Sequence, residues 1–214
     1  MRPHLIGIAG PSCAGKSYLS TRLCDELNSS SNPKTSEPPK AAILRLDSYY
    51  RDLAHLEFHQ REHSNFDSPE ALDSPLLIEH ARRLALGEAI DKPVYDFKTH
   101  ARTGLSERVE PGEFIIIEGL FALYWNELRA ALSTKVFVDL GEQICLARRI
   151  ERDTRERGRT RESVLRQFHH TVEPMAREYV HPTRQFADVV LTGDDDIGNE
   201  VKLVLSHITT VRTR

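Results

Sequence analysis

Leu5 to Ala9 is an unbroken apolar run that gives way at once to Gly, Pro, Ser and Gly, which predicts a buried strand ending in a tight loop. A helix is expected to start near Ser17, and the Ser- and Pro-rich stretch from Asn28 to Lys40 to lie on the surface as a loop. Ala41 to Leu46 predicts a second strand, ending at Asp47. Ser74 followed by Pro75 reads as the N-cap and first turn of a helix whose inner face carries Leu76, Leu77, His80 and Leu84, and Gly87 closes it. From Lys92 to Val109 the chain is short of apolar runs but rich in aromatic and polar positions, the pattern of a hairpin-like flap (92–109) rather than core. Phe114 to Ile117 and Val136 to Val138 predict further buried strands, the second leading into a helix from about Glu142, and Ala187 to Leu191 predicts the last strand. Strands and helices alternate throughout. That order implies an α/β fold in one domain over 1–214, a mostly parallel sheet with helices on both faces and ligands outside the carboxyl ends of the strands.

The 214 residues suffice for one such domain with a real core, and two full domains would be cramped. Against 29 Lys and Arg stand 32 Asp and Glu, a formal net charge of -3, so no global basic field exists for a long nucleic acid and any anion must be held locally. No apolar run reaches the roughly 20 residues of a membrane span, and Met1 to Gly10 lacks the apolar core of a signal peptide, which sets the expectation of a cytoplasmic protein away from membranes. Cys13, Cys24 and Cys145 are isolated, without the spacing of a zinc site or a disulfide framework.

The candidate chemistry begins at Gly10, Pro11, Ser12, Cys13, Ala14, Gly15, Lys16 and Ser17, which fit the pattern of a P-loop between a strand and a helix. Glycines permit the unusual backbone, successive N–H groups converge at a helix N-terminus, Lys16 reaches the β- and γ-phosphates, and the Ser17 hydroxyl is a magnesium ligand. The fold expected is therefore P-loop NTPase-like, with ATP and Mg2+ as its ligands. Asp47 directly follows a strand, as a general base facing the γ-phosphorus would. Glu118 ends the strand from Phe114 and is the second carboxylate expected near magnesium. Seven arginines fall between Arg148 and Arg161 against three acids, with Gly158 interrupting the run, so the segment from about 148 to 165 predicts an Arg-rich helical lid that hangs Arg157 and Arg159 over a triphosphate. Others of the seven read as ordinary solvated helix residues paired at i,i+4, such as Arg148 with Arg152 flanking Glu151. A nucleotide-dependent switch is disfavoured because no Asn-Lys-x-Asp sequence occurs.

Taken together, the phosphate motif, Leu46-Asp-Ser-Tyr-Tyr-Arg51, Asn65-Phe-Asp-Ser-Pro69, Pro93-Val-Tyr-Asp-Phe-Lys-Thr-His100, Ile117-Glu-Gly119, Arg157-Gly-Arg159 and Pro182-Thr-Arg-Gln-Phe-Ala-Asp188 resemble the uridine kinase (uridine-cytidine kinase) family over nearly the whole chain. The resemblance implies ATP-dependent phosphorylation of the ribose 5′-hydroxyl of uridine and cytidine, with Asp47 as base and Asp67 on the ribose hydroxyls. It implies a substrate pocket of Tyr50, Tyr95, Phe97 and His100, closed by Arg149, Arg152, Arg159 and Gln167, and a homo-tetramer. Another small-molecule kinase on the same scaffold, phosphoribulokinase-like or pantothenate kinase-like, is the rival reading. Thr192-Gly-Asp-Asp-Asp-Ile-Gly198 departs from the Arg-Gly-rich loop usual in that family, and there only Asp196 matches a nucleotide contact.

Overall fold

The first strand, β1 (His4–Ala9), is apolar on both faces because it lies at the centre of a five-stranded parallel sheet. The structure, a computed structural model, describes residues 2–29 and 39–213. After β1 come α1 (Lys16–Ser29), β2 (Ala41–Arg45), a 3-10 turn over Leu46–Tyr49, α2 (Phe58–Glu62) and α3 (Ser74–Ala85). A separate antiparallel hairpin, β3 (Ile90–Asp96) with β4 (Ala101–Val109), precedes β5 (Phe114–Glu118), α4 (Asn126–Ala131), β6 (Thr134–Val138) and α5 (Glu142–Arg157). The chain then forms α6 (Arg161–Gln167), α7 (Glu173–Met175), β7 (Val189–Leu191) and α8 (Ile197–Arg212). The sheet order is β2-β5-β1-β6-β7.

Alternate residues of each strand feed two different cores, as a sheet covered on both faces requires. Leu5, Leu44, Ile115, Ile117 and Phe137 point to the side where α3 and α4 supply Leu77, Leu84 and Leu128. Ile6, Ile8, Ile116, Val136 and Val138 point to the other, where α1 and α8 supply Leu19, Leu23, Val204 and Ile208. Fully burying one such side chain contributes about 1.5–3 kcal/mol, so the sheet is the stiff element on which the loops at its carboxyl edge are mounted.

The expected elements are present with shifted edges. The cap of α3 is Asp73, whose carboxylate accepts from Leu76 N, and Ser74 is the first helical residue, a correction of one position. β2 stops at Arg45 because Leu46 already belongs to the 3-10 turn, and β7 is shorter than the run from Ala187. Of the loop expected between Asn28 and Lys40, residues 30–38 lie outside the described residues. Around Pro174, which has no amide hydrogen to donate, the helical path widens into π turns at Phe168–Val172 and Ala176–Val180, with Glu173 N donating to Phe168 O. No helix among the described residues is long and apolar enough to cross a membrane.

Candidate active site

Three adjacent strands deliver the chemistry to one edge. β1 ends in the loop Gly10–Gly15, β2 in the turn carrying Asp47, and β5 in Glu118. Gly10 has φ 148°, and a Cβ there would sit 2.4 Å from the carbonyl oxygen of Val138 on β6, so no other residue fits this turn. Ala14 N closes the loop on Pro11 O at 3.2 Å, and α1 begins at Lys16 with its first amides unused by the helix. The Lys16 ammonium is buried and donates to Pro11 O at 2.8 Å. Burial lowers its pKa, opposed by the nearby Glu118 and Asp47 carboxylates.

Glu118 is 5% exposed and accepts from the Ser17 hydroxyl at 3.2 and 3.3 Å, with Arg45 Nε at 3.4 Å. Burial pushes its carboxyl above the ordinary value while Lys16 pulls it back. Asp47 opens to solvent, yet the protein mass around it raises its pKa, with Lys16 and then Arg157 opposing. The turn bearing it is anchored from behind. The Tyr49 hydroxyl meets His80 Nδ1 of α3 at 2.8 Å, and Asp73 N donates to Tyr49 O at 2.8 Å.

The second part of the cleft is aromatic. Phe66 stacks on His100 with centroids 5.0 Å apart and planes 21° apart, and Tyr50 packs against Phe66 at 5.2 Å and Tyr95 at 5.3 Å. Phe97 completes the row 5.3 Å from Tyr95 and is exposed. The Tyr95 hydroxyl is buried without a hydrogen-bond partner among the described residues, and its pKa is pushed up to about 12 by burial. A buried donor of this kind carries a desolvation cost that an incoming polar ligand removes. Asp67 lies at the inner end, buried, its carboxyl raised by desolvation against the pull of Arg149.

Arginines close the third side. Arg149, 5% exposed, donates to Ser12 Oγ of the phosphate loop at 2.9 Å and to Gln167 Oε1 at 3.2 Å, and its Nη1 lies 3.8 Å from Asp67. Gly158 takes φ 63° and ends α5, which turns Arg159 back so that it also donates to Gln167 and, at 2.9 Å, to Ser163 Oγ. Arg152 and Arg157 lean toward Asp153, which lies between Arg149 and Arg157 on the same helical face. Of the residues singled out from sequence, Asp196 stands apart: it caps α8, accepting from Gly198 N and Asn199 N at 2.9 and 3.2 Å.

Three participants escaped the sequence reading. Phe66 belongs to the Asn65–Pro69 motif, but only its stacking on His100 gives it a place in the site. Asp153 could have been marked by its spacing of four from both Arg149 and Arg157. Arg148 is not merely solvated: its guanidinium reaches across to Gly193 O at 3.2 Å, beside the phosphate loop.

The sequence model of the phosphoribulokinase / uridine kinase family matches residues 5–196. A Lactobacillus johnsonii protein named uridine kinase is 38% identical over 97% of this chain and 98% of its own. Relatives of the same name from Pasteurella multocida and Vibrio cholerae are 40% and 38% identical, covering 87% and 95% of this chain and 84% and 93% of theirs. Among solved structures, a Silicibacter sp. TM1040 protein proposed as a fructose transport system kinase superposes with TM-score 0.70 at 21% identity, covering 88% of this chain and 89% of its own. A Bacillus stearothermophilus protein proposed as a uridine kinase gives TM-score 0.51 at 19% identity, with 89% of each chain covered. At these identities the two structures speak for the fold alone.

Proposed function

The chain belongs to the phosphoribulokinase / uridine kinase family, and we propose that within it this protein transfers the γ-phosphate of ATP to the ribose 5′-hydroxyl of uridine and cytidine. The observation that carries the reading is Arg149, one buried guanidinium that spans Ser12 of the phosphate loop and Asp67 of the aromatic cleft. Triphosphate and nucleoside would then meet in one enclosure, with Asp47 between them.

The N–H groups of the loop from Gly10 to Ser17, Pro11 excepted, cradle the β-phosphate, and Lys16 exchanges Pro11 O for phosphate oxygens. Asp47 takes the proton of the 5′-hydroxyl as that oxygen bonds to the γ-phosphorus and the bond to the β-phosphate oxygen breaks, releasing ADP. Desolvation raises its pKa, which makes its carboxylate a better base than an ordinary aspartate's. Arg149, Arg152, Arg157 and Arg159 spread over the equatorial and bridging oxygens, where a single well-placed arginine is worth about 10³–10⁵ in rate. The donor's ribose and base would rest against the loop 192–198, Asp196 included.

Ser17 and Glu118 offer hard oxygen donors already in contact, which suits magnesium. No three acidic, His or Cys side chains converge as a metal cage among the described residues, so phosphate oxygens and water would complete the shell. Such an ion would neutralise charge on the β- and γ-phosphates.

Asp67 would accept both ribose hydroxyls, so a deoxyribose leaves a buried carboxylate short of a partner at a cost of about 1–3 kcal/mol. The hairpin β3–β4 would cover the nucleoside. Phe66, Tyr50 and Phe97 would pack on a flat base, while the Tyr95 hydroxyl and His100 meet its polar edge, the imidazole donating or accepting as uracil or cytosine requires. The test is ADP release with uridine, cytidine, deoxycytidine, ribulose 5-phosphate and pantothenate side by side. Turnover confined to the two ribonucleosides is expected; turnover with ribulose 5-phosphate or pantothenate alone would overturn the assignment.

A further inference from the structure

Asp153 has no solvent exposure and no apolar reason to be where it is, yet four guanidiniums surround it. Arg152 Nη2 lies 2.8 Å from its carboxylate, Arg159 Nη1 3.5 Å, and Arg149 Nε and Arg157 Nη1 3.6 Å each. Its main chain is enlisted too. The carbonyl of Asp153 accepts from Gly158 N and, at 3.1 Å, from Arg159 N, so the turn that reverses the chain after α5 is built on the same residue.

Four like charges converging on one cleft repel one another, and the long arginine side chains would otherwise disperse into solvent. Asp153 alone is in reach of all four, and even with Asp67 3.8 Å from Arg149 an excess of positive charge, four against two, faces the phosphate loop. The bonding is uneven. Arg152 Nε holds Asp153 Oδ1 by a hydrogen bond of 2.8 Å, whereas Arg149 Nε and Asp153 Oδ2 are both buried without a hydrogen-bond partner and 3.6 Å apart. Arg149 is thus attracted to Asp153 without a hydrogen bond to it, and its terminal nitrogens point away to Ser12 Oγ and Gln167 Oε1, on the side where an anion would bind.

We propose that Asp153 is the positioning residue of the arginine cluster, setting the aim of Arg149, Arg152, Arg157 and Arg159 at the transferring phosphoryl group without touching it. This rests on the phosphoryl-transfer reading above. Asp153 acts on the transition state through other side chains, so its charge should matter more to turnover than to ground-state binding.

The experiment compares the parent with Asp153→Asn and Asp153→Glu in ADP release with ATP and uridine. Parent activity is measured first. An inert parent sinks the phosphoryl-transfer reading whatever the variants do. With an active parent, Asp153→Asn, which keeps the shape and removes the charge, is expected to lower kcat about 100-fold with each KM changed less than about fivefold. Asp153→Glu should recover about tenfold of that loss. In nucleotide-free protein labelled with 15N, the Arg152 Nε–H signal should be sharp and protected in the parent and lost in Asp153→Asn. A folded Asp153→Asn with kcat within about threefold of the parent, or an Asp153→Glu no better than Asp153→Asn, would overturn the proposal. So would failure of both variants to fold, which would assign Asp153 to holding the fold.

Discussion

The phosphate loop and the arginine segment facing it present positive potential to the same space by opposite means. The loop uses main-chain amides of consecutive residues, pinned between β1 and α1, with Gly10 pressed against Val138 O. The arginine segment uses long side chains from Arg149 to Arg159, kept in place by Asp153 and by Gln167. One is rigid and cannot adjust. The other can shift by side-chain rotation, because Arg149, Arg157 and Arg159 reach Asp153 by charge at 3.5–3.6 Å rather than through hydrogen bonds. A rigid floor suits the β-phosphate, which stays with the leaving group, and an adjustable roof suits the γ-phosphoryl group, which moves.

That contrast is open to attack at several strengths. The largest effect is expected from the carboxylate between floor and roof: Asp47→Asn should lower kcat by about 10³ while the affinity for an ATP analogue, read by calorimetry, stays within about threefold. Gly10→Ala should break the floor itself, weakening that analogue by about 100-fold and lowering Tm, because the new Cβ meets main chain that cannot yield. On the roof, Arg149→Lys keeps the charge but loses the fork whose two arms reach Ser12 and Gln167, and should raise KM for both substrates by about tenfold with a milder loss of kcat. Phe66→Ala should raise KM for uridine by about tenfold and leave KM for ATP unchanged, since among the described residues its ring pairs with those of Tyr50 and His100, on the nucleoside side of the cleft.

The smallest effect concerns pH. Desolvation raises the Asp47 pKa above the ordinary 3.8, so kcat/KM should rise with pH through that elevated value as the base form appears, and the step should vanish in Asp47→Asn. The sign for stability is opposite. A carboxyl whose pKa is raised on folding stabilises the protonated fold, and that contribution is lost as pH rises from the unfolded value through the folded one. Asp47→Asn should therefore raise Tm near neutral pH, by no more than about 2–4 °C because solvent screens the group. Thermal melts across pH check it, and a lowered Tm would contradict the account.

The strands were legible because both faces of the sheet are buried, so Leu5 to Ala9 and Phe114 to Ile117 read as plain apolar runs. Asp47 and Glu118 were legible because each follows such a run, and the phosphate loop because its meaning lies in consecutive residues. The cap of α3 was misplaced by one residue since Asp73 and Ser74 can both cap, and only geometry shows Asp73 accepting from Leu76 N. Phe66 and Arg148 were not legible as site residues, because their roles exist only in contacts between segments, as where Arg149 meets Ser12 across 137 positions of chain. Asp153 differs: its arginine partners lie within six residues, and its spacing of four from Arg149 and Arg157 is a signal the sequence carries. Main-chain sites can be read locally; side-chain networks depend on the tertiary fold that brings them together.

The most direct test of the central claim is a crystal structure of the protein with a non-hydrolysable ATP analogue, magnesium and uridine. The account predicts the γ-phosphorus about 3–3.5 Å from the uridine 5′-oxygen, that oxygen within hydrogen-bond reach of the Asp47 carboxylate, and the β-phosphate on the amides of Gly10 to Ser17. A nucleoside bound away from the Phe66 and His100 stack, or Asp47 turned from the 5′-oxygen with the phosphates in place, would contradict it.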